Sequence, residues 1–108
     1  MWWVSFDRSI GGGIRKQRPA VVLSNDAANA ALNRVVVVPV TSQADRIYPG
    51  EARVLVADRP AKAMADQIAT AAKERLRGRL AILSAADLRA VEDAVRFHLG
   101  LDRASRSP

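Results

Sequence analysis

The chain has no cysteine, which excludes disulfides, zinc fingers and thiol catalysis and gives no sign of an oxidising compartment. It has one histidine, His98, so a two-histidine acid–base pair for RNA cleavage cannot be built from one chain. His98 falls near the end of a predicted helix, where the dipole favours a cation, and reads as structural or solvent-facing. The acidic residues Asp7, Asp26, Asp45, Glu51, Asp58 and Asp66 are scattered without metal-ligand spacing, so neither a bound metal nor a cofactor is expected. Gly11-Gly12-Gly13 is not followed by Gly-Lys-Ser/Thr, so it is no phosphate loop. No apolar run nears the ~20 residues of a membrane helix. The start, MWWVSFDRS, lacks the basic-then-apolar layout of a signal peptide. A cytoplasmic protein with no membrane partner is the expectation.

What is present fits one domain, expected over residues 1–100, with 101–108 as a short disordered tail. Hydrophobic residues make up 49% of the 108, enough for a packed core without staples. The formal charge is +6, and of the 17 cationic residues only Lys16, Lys62 and Lys73 are lysine. A basic, arginine-rich domain suggests nucleic acid or an acidic protein as partner, because the guanidinium is a planar fork suited to phosphate and carboxylate.

Along the chain, Trp2 to Phe6 reads as a strand and Asp7 to Gln17 as a glycine-rich loop. Pro19 opens a strand over Ala20 to Ser24, and Asp26 to Leu32 is alanine-rich and helical. Val35 to Thr41 is a second continuous β-branched run, whose Pro39 implies an edge position or a bulge. Ala52 to Ala57 and Arg79 to Leu83 read as further strands, with a turn at Asp58-Arg59-Pro60. Lys62 to Ala71 is ambiguous, its alanines favouring helix without a clean apolar face. The clearest element begins at Ser84, where SAAD is a capping pattern. Leu88, Val91, Val95 and Leu99 form one helical stripe, and Gly100 stops the helix. The plan is mainly β within an α+β class: five or six short strands, as a barrel or sheet, and a C-terminal amphipathic helix.

The remaining polar groups are Arg15, Lys16 and Arg18 around the first loop, the strand end Thr41-Ser42-Gln43, and Gln67. Taken alone, the basic stretch reads as a solvated loop and Thr41-Ser42 as a strand end with a side-chain-to-backbone turn bond. Chemistry with these groups must run without metal or imidazole. RNA permits that, because its 2′-OH is an internal nucleophile that a protein can position against the adjacent phosphorus. A guanidinium stabilises the extra-negative phosphorane with two aligned donors. A threonine hydroxyl can donate to the phosphate or accept from the 2′-OH.

Trp-Trp-Val-x-Phe-Asp, a glycine loop, and Arg-Pro-Ala-Val-Val-Leu-Ser-Asn-Asp-x-x-Asn stand in order over residues 2 to 29. Val-Val-Pro-Val-Thr-Ser, Ala-Asp-Gln-Ile, Lys-Glu-Arg-Leu and a closing Leu-Gly-Leu follow, to residue 101. In this order the chain resembles the MazF/PemK family of bacterial toxins. The resemblance implies an SH3-like β-barrel with a C-terminal helix, a homodimer, and a metal-independent, sequence-specific endoribonuclease. That activity cuts single-stranded RNA to leave a 2′,3′-cyclic phosphate. It also implies a cognate antitoxin whose acidic, partly disordered tail blocks the RNA groove. By position, Arg18 and Thr41 resemble the family's catalytic pair. Arg15, Lys16, Ser42, Gln43 and Gln67 are the expected RNA-binding residues, while Asn25 and Asn29 are expected to serve turn and capping structure. Where many members carry an acidic residue in the first loop, this chain has Gly13. The same barrel occurs in toxins that inhibit DNA gyrase by binding, and a member that binds RNA or antitoxin without cutting is a further alternative.

Overall fold

A computed structural model of the chain describes residues 1–6, 16–102, 106 and 107, with the side chain of Lys16 left out. Their order is β1 (Trp2–Phe6), β2 (Lys16–Val22), α1 (Asp26–Ala31), β3 (Arg34–Thr41), β4 (Glu51–Val56), β5 (Arg59–Met64), β6 (Ala69–Ala72), β7 (Leu76–Arg79) and α2 (Ala85–Leu99). All strand pairs are antiparallel, along the path β4-β5-β3-β2-β1-β7, with β6 also paired to β3. The class is mainly β with a C-terminal helix, as expected. Among the described residues the sheet has seven strands rather than five or six, and its path stays open between β4 and β7.

The additional strands lie in the ambiguous alanine-rich stretch. Residues 59 to 72 fold as β5, a 3-10 turn over Ala65–Gln67, and β6, not as a helix. A helix there would have had no single apolar face to bury. As a strand, alternate residues Ala61 and Ala63 are buried beneath α2, so tertiary packing overrides alanine's helical preference. The β4–β5 turn falls on Ala57-Asp58, one residue earlier than read. Val56 pairs with Arg59, and both turn residues have positive φ, the type I′ geometry that matches strand twist.

Two of the five prolines, Pro19 and Pro39, depart from expectation. Pro19 lies inside β2, paired with Trp3, so the strand runs back to Lys16 and Arg18 stands on a strand rather than at a loop's end. Pro39 is buried in a strand with neighbours on both sides, neither at an edge nor in a bulge. On one side β3 pairs with β6 through Val37 and with β5 from Val40, so Pro39 occupies the break between them. Its missing N–H removes no ladder bond on that side. The last strand comes earlier than read, at Leu76–Arg79; residues 81–83 form a connector, with the N–H groups of Leu80 and Ala81 donating to the Met1 carbonyl.

Two apolar clusters line opposite faces. Val21, Val38, Val40, Val54, Ala61 and Ala63 pack beneath Val91, Ala94 and Val95 of α2. Val4, Ala20, Val35, Val37 and Ala71 pack on the other face, with Trp2, Phe6 and Leu76 at their margin. The stripe read on α2 is buried at its centre and exposed at its ends, Leu88 and Leu99. Ser84 Oγ accepts from the Asp87 N–H at 3.0 Å, and Gly100 closes the helix in the left-handed region at φ 64°. Asp87 Oδ2 reaches across to the Leu55 N–H at 2.9 Å, tying the helix's first turn to β4. No helix among the described residues is long and apolar enough to cross a membrane.

Candidate active site

Alternation along the strands decides where the polar groups stand. On β2, Val21 points under the helix, so Ala20 and Arg18 share the opposite face. On β3, Val38 and Val40 point under the helix, so Val37 and Thr41 face the other way. On β5, Ala61 and Ala63 point under it and Lys62 does not. The ladders align these side chains. Ala20 pairs with Pro39, and that register, carried on, places Pro19 by Val40 and Arg18 by Thr41. Thr41 pairs with Lys62, and Lys62 with Arg53 of β4. One row therefore runs Arg18, Thr41, Lys62, Arg53 across four strands, on the face away from α2. Directly opposite Cβ atoms in such pairs lie about 4.5–5.5 Å apart.

Arg18 and Thr41 line one open cleft of about 460 Å³, together with Pro19, Val40, Ser42, Gln43, Lys62 and Met64. The two residues read as a catalytic pair are thus brought together, as are Ser42 and Gln43. Gln67 stands exposed in the 3-10 turn beyond, its Nε2 donating to Met64 Sδ at 3.4 Å. Arg15, the side chain of Lys16, and the loop residues Gly11 to Gly13 lie outside the described residues, as do residues 103–105 and 108 of the tail. Thr41 Oγ1 accepts from the Gln43 N–H at 3.3 Å, the turn bond expected of a strand end. That bond leaves the hydroxyl hydrogen free to donate. Asn25 caps α1, accepting from the Ala28 N–H at 2.9 Å, and Asn29 Nδ2 donates to the Ser24 carbonyl at 2.8 Å. Both are structural, as expected. His98 is exposed, its ring beside the buried Gly50.

Lys62, Glu51 and Tyr48 were not among the expected site residues. Lys62 Nζ donates to Glu51 Oε1 at 3.0 Å and to the Arg46 carbonyl at 3.1 Å, with both charged side chains only 13% exposed. The sequence signal was available: Lys62 is a lone cation between Ala61 and Ala63, flanked by Pro60, a strand-like alternation obscured by reading the alanines as helical. Glu51 is set by a type II turn over Tyr48-Pro49-Gly50-Glu51. Proline fixes the second position, Gly50 takes φ 85° at the third, and the Glu51 N–H donates to the Tyr48 carbonyl at 3.0 Å.

Burial raises the Glu51 carboxyl's pKa, but the Tyr48 N–H and Lys62 outweigh it, leaving Glu51 below its ordinary 4.5. A carboxyl lowered on folding stabilises the native state above pH 4.5, and that contribution disappears as pH falls through the lowered value. Glu51→Gln should therefore lose stability at pH 7, by about 1 kcal/mol. In thermal melts from pH 7 to pH 3 its deficit against wild type should shrink below pH 4.5. A deficit that stays constant with pH would assign the loss to shape rather than charge.

Residues 1–99 match the family described as PemK-like, MazF-like toxin of type II toxin-antitoxin system. Over 110 aligned residues the chain is 38% identical to endoribonuclease MazF9 of Mycobacterium tuberculosis, spanning 94% of this chain and 93% of that protein. It is similar to the solved structure of a mycobacterial endoribonuclease in complex with its cognate antitoxin, with TM-score 0.75, 25% identity, and 99% and 94% of the two chains covered. MazF from Deinococcus radiodurans gives TM-score 0.74 at 28% identity, over 92% of this chain and 91% of that one.

Proposed function

Since the chain belongs to the PemK-like, MazF-like toxins of type II toxin–antitoxin systems, we propose that it cuts single-stranded RNA at specific sequences without a metal ion. The observation that carries this reading is the cleft shared by Arg18 and Thr41. The 2′-OH beside the bound phosphate attacks phosphorus. An O2′–P bond forms as the P–O5′ bond breaks, leaving a 2′,3′-cyclic phosphate and a 5′-hydroxyl. The 2′-OH proton passes to water, and solvent returns one to O5′. Arg18 spans two phosphate oxygens and stabilises the charge that grows on the phosphorane. Thr41, whose oxygen already accepts from Gln43, donates its hydrogen to a phosphate oxygen. Ser42, Gln43 and Gln67 contact flanking nucleotides, while Arg15 and Lys16 attract the RNA backbone.

The same cationic cleft suits the acidic tail of a cognate antitoxin, which competes with RNA for it. The working unit is a homodimer in the cytoplasm, where RNA and antitoxin are both met. The test is direct. Purified protein incubated with single-stranded RNA in excess EDTA should cut at a defined sequence and leave 2′,3′-cyclic phosphate ends. Cutting that stops in EDTA and returns with magnesium would sink the proposal.

A further inference from the structure

The β3–β4 loop carries a cluster that the cleavage chemistry does not use. Tyr48, the chain's only tyrosine, leaves 52% of its surface in solvent. Lys62 Nζ lies 5.5 Å from its ring centroid and the Arg46 guanidinium 5.9 Å, with Arg46 Nη1 donating to Tyr48 Oη at 3.3 Å. The backbone beneath the ring is held as firmly. The Tyr48 N–H donates to Glu51 Oε1 at 2.8 Å, its carbonyl closes the type II turn, and the same Glu51 oxygen receives Lys62.

A single exposed aromatic is ordinary on a protein surface. This one is held by two neighbouring cations while about half of its surface stays in water. Its anchor, Lys62, also lines the cleft and pairs across the ladder with Thr41. Through Lys62, 5.5 Å from its centroid, the ring is joined to the cleft that Arg18 and Thr41 line. Rigid aromatic rings beside cations are the surface on which unpaired bases stack, the cations meeting the adjoining phosphates.

We propose that Tyr48 is the stacking platform for the base of a nucleotide adjacent to the cut phosphate, with Arg46 and Lys62 holding the ring and neutralising the backbone beside it. This rests on reading the Arg18–Thr41 cleft as the site of RNA cleavage. Every base has a π-face, so the platform fixes the position of that nucleotide far more than its identity.

The test uses the full chain and an RNA oligonucleotide carrying its mapped cleavage sequence, with 2′-deoxyribose at the cut nucleotide so that binding occurs without reaction. An abasic residue is then placed at each position in turn. Tyr48→Ala should weaken binding about tenfold or more. At one position next to the cut, removing the base should cost wild type a similar factor and cost Tyr48→Ala almost nothing. Tyr48→Phe, which keeps the ring and its packing, should restore that position's sensitivity. A Tyr48→Ala protein that binds like wild type, or loses affinity equally at every abasic position, overturns the platform while leaving the cleavage reading standing. A wild-type protein that neither binds nor cuts RNA overturns both.

Discussion

Arg18→Ala is expected to lower the single-turnover cleavage rate by about 10²–10³-fold while the protein stays folded. The size follows from the charge the reaction creates. The phosphorane carries more negative charge than the ground-state phosphate, and a guanidinium fixed on a strand meets it without reorganising. Folding should survive because Arg18 is exposed, on the face away from α2, and belongs to neither buried cluster. Arg18→Lys should recover only part of the rate, since an ammonium offers a point charge in place of two parallel donors. Thr41→Val keeps the β-branched shape and removes the hydroxyl; its loss should be smaller, and non-additive with Arg18→Ala, because both groups act on one phosphate. The measurement is cleavage of a fixed oligonucleotide in EDTA beside a thermal melt. A folded Arg18→Ala protein cutting at the wild-type rate would remove Arg18 from the chemistry.

The largest effect on stability is expected at Val91. Its side chain is fully buried where α2 meets Val38, Val54, Ala61 and Ala63. An aspartate there would be an unpaired carboxylate in an apolar layer, at a cost of several kcal/mol against a total stability of roughly 5–15 kcal/mol. Val91→Asp should show no cooperative melt at 37 °C. Val91→Ala leaves only a cavity and should cost about 2 kcal/mol, lowering Tm by about 10 °C. Glu92→Ala, one residue along on the exposed side of the helix, should stay within about 0.5 kcal/mol of wild type. The Val91 variants also bear on the site. The helix clamps β4 and β5 through this layer and the Asp87–Leu55 bond, and those strands carry Glu51 and Lys62. A Val91→Asp protein that melts like wild type would mean that α2 does not dock as described.

Much of the fold was readable because its strongest signals are local. The β-branched run at Val35 to Thr41, the Ser84 cap, the stripe on α2 and Gly100 each depend on residues within one element, and each was found where it was read. Reading failed where partners decide. Residues 62 to 64 and 69 to 71 are strand because tertiary packing buries their small side chains, Ala63 beneath α2 and Ala71 in the cluster on the opposite face. Pro39 is tolerated in a central strand because β3 changes partner at that point, and nothing within a few residues of Pro39 carries that information.

The same division runs through the site. From the amino-acid order alone came the expectation of a basic, metal-free chemistry and of Arg18, Thr41, Ser42, Gln43 and Gln67 as the residues that serve it. Those are properties of side-chain type and motif, which survive without coordinates. Only the tertiary structure placed Arg18 by Thr41, added Lys62 across the ladder, and joined Tyr48 and Glu51 to it through one turn. These residues lie far apart along the chain, and strand register, fixed by which side chains the helix buries, is what makes them neighbours.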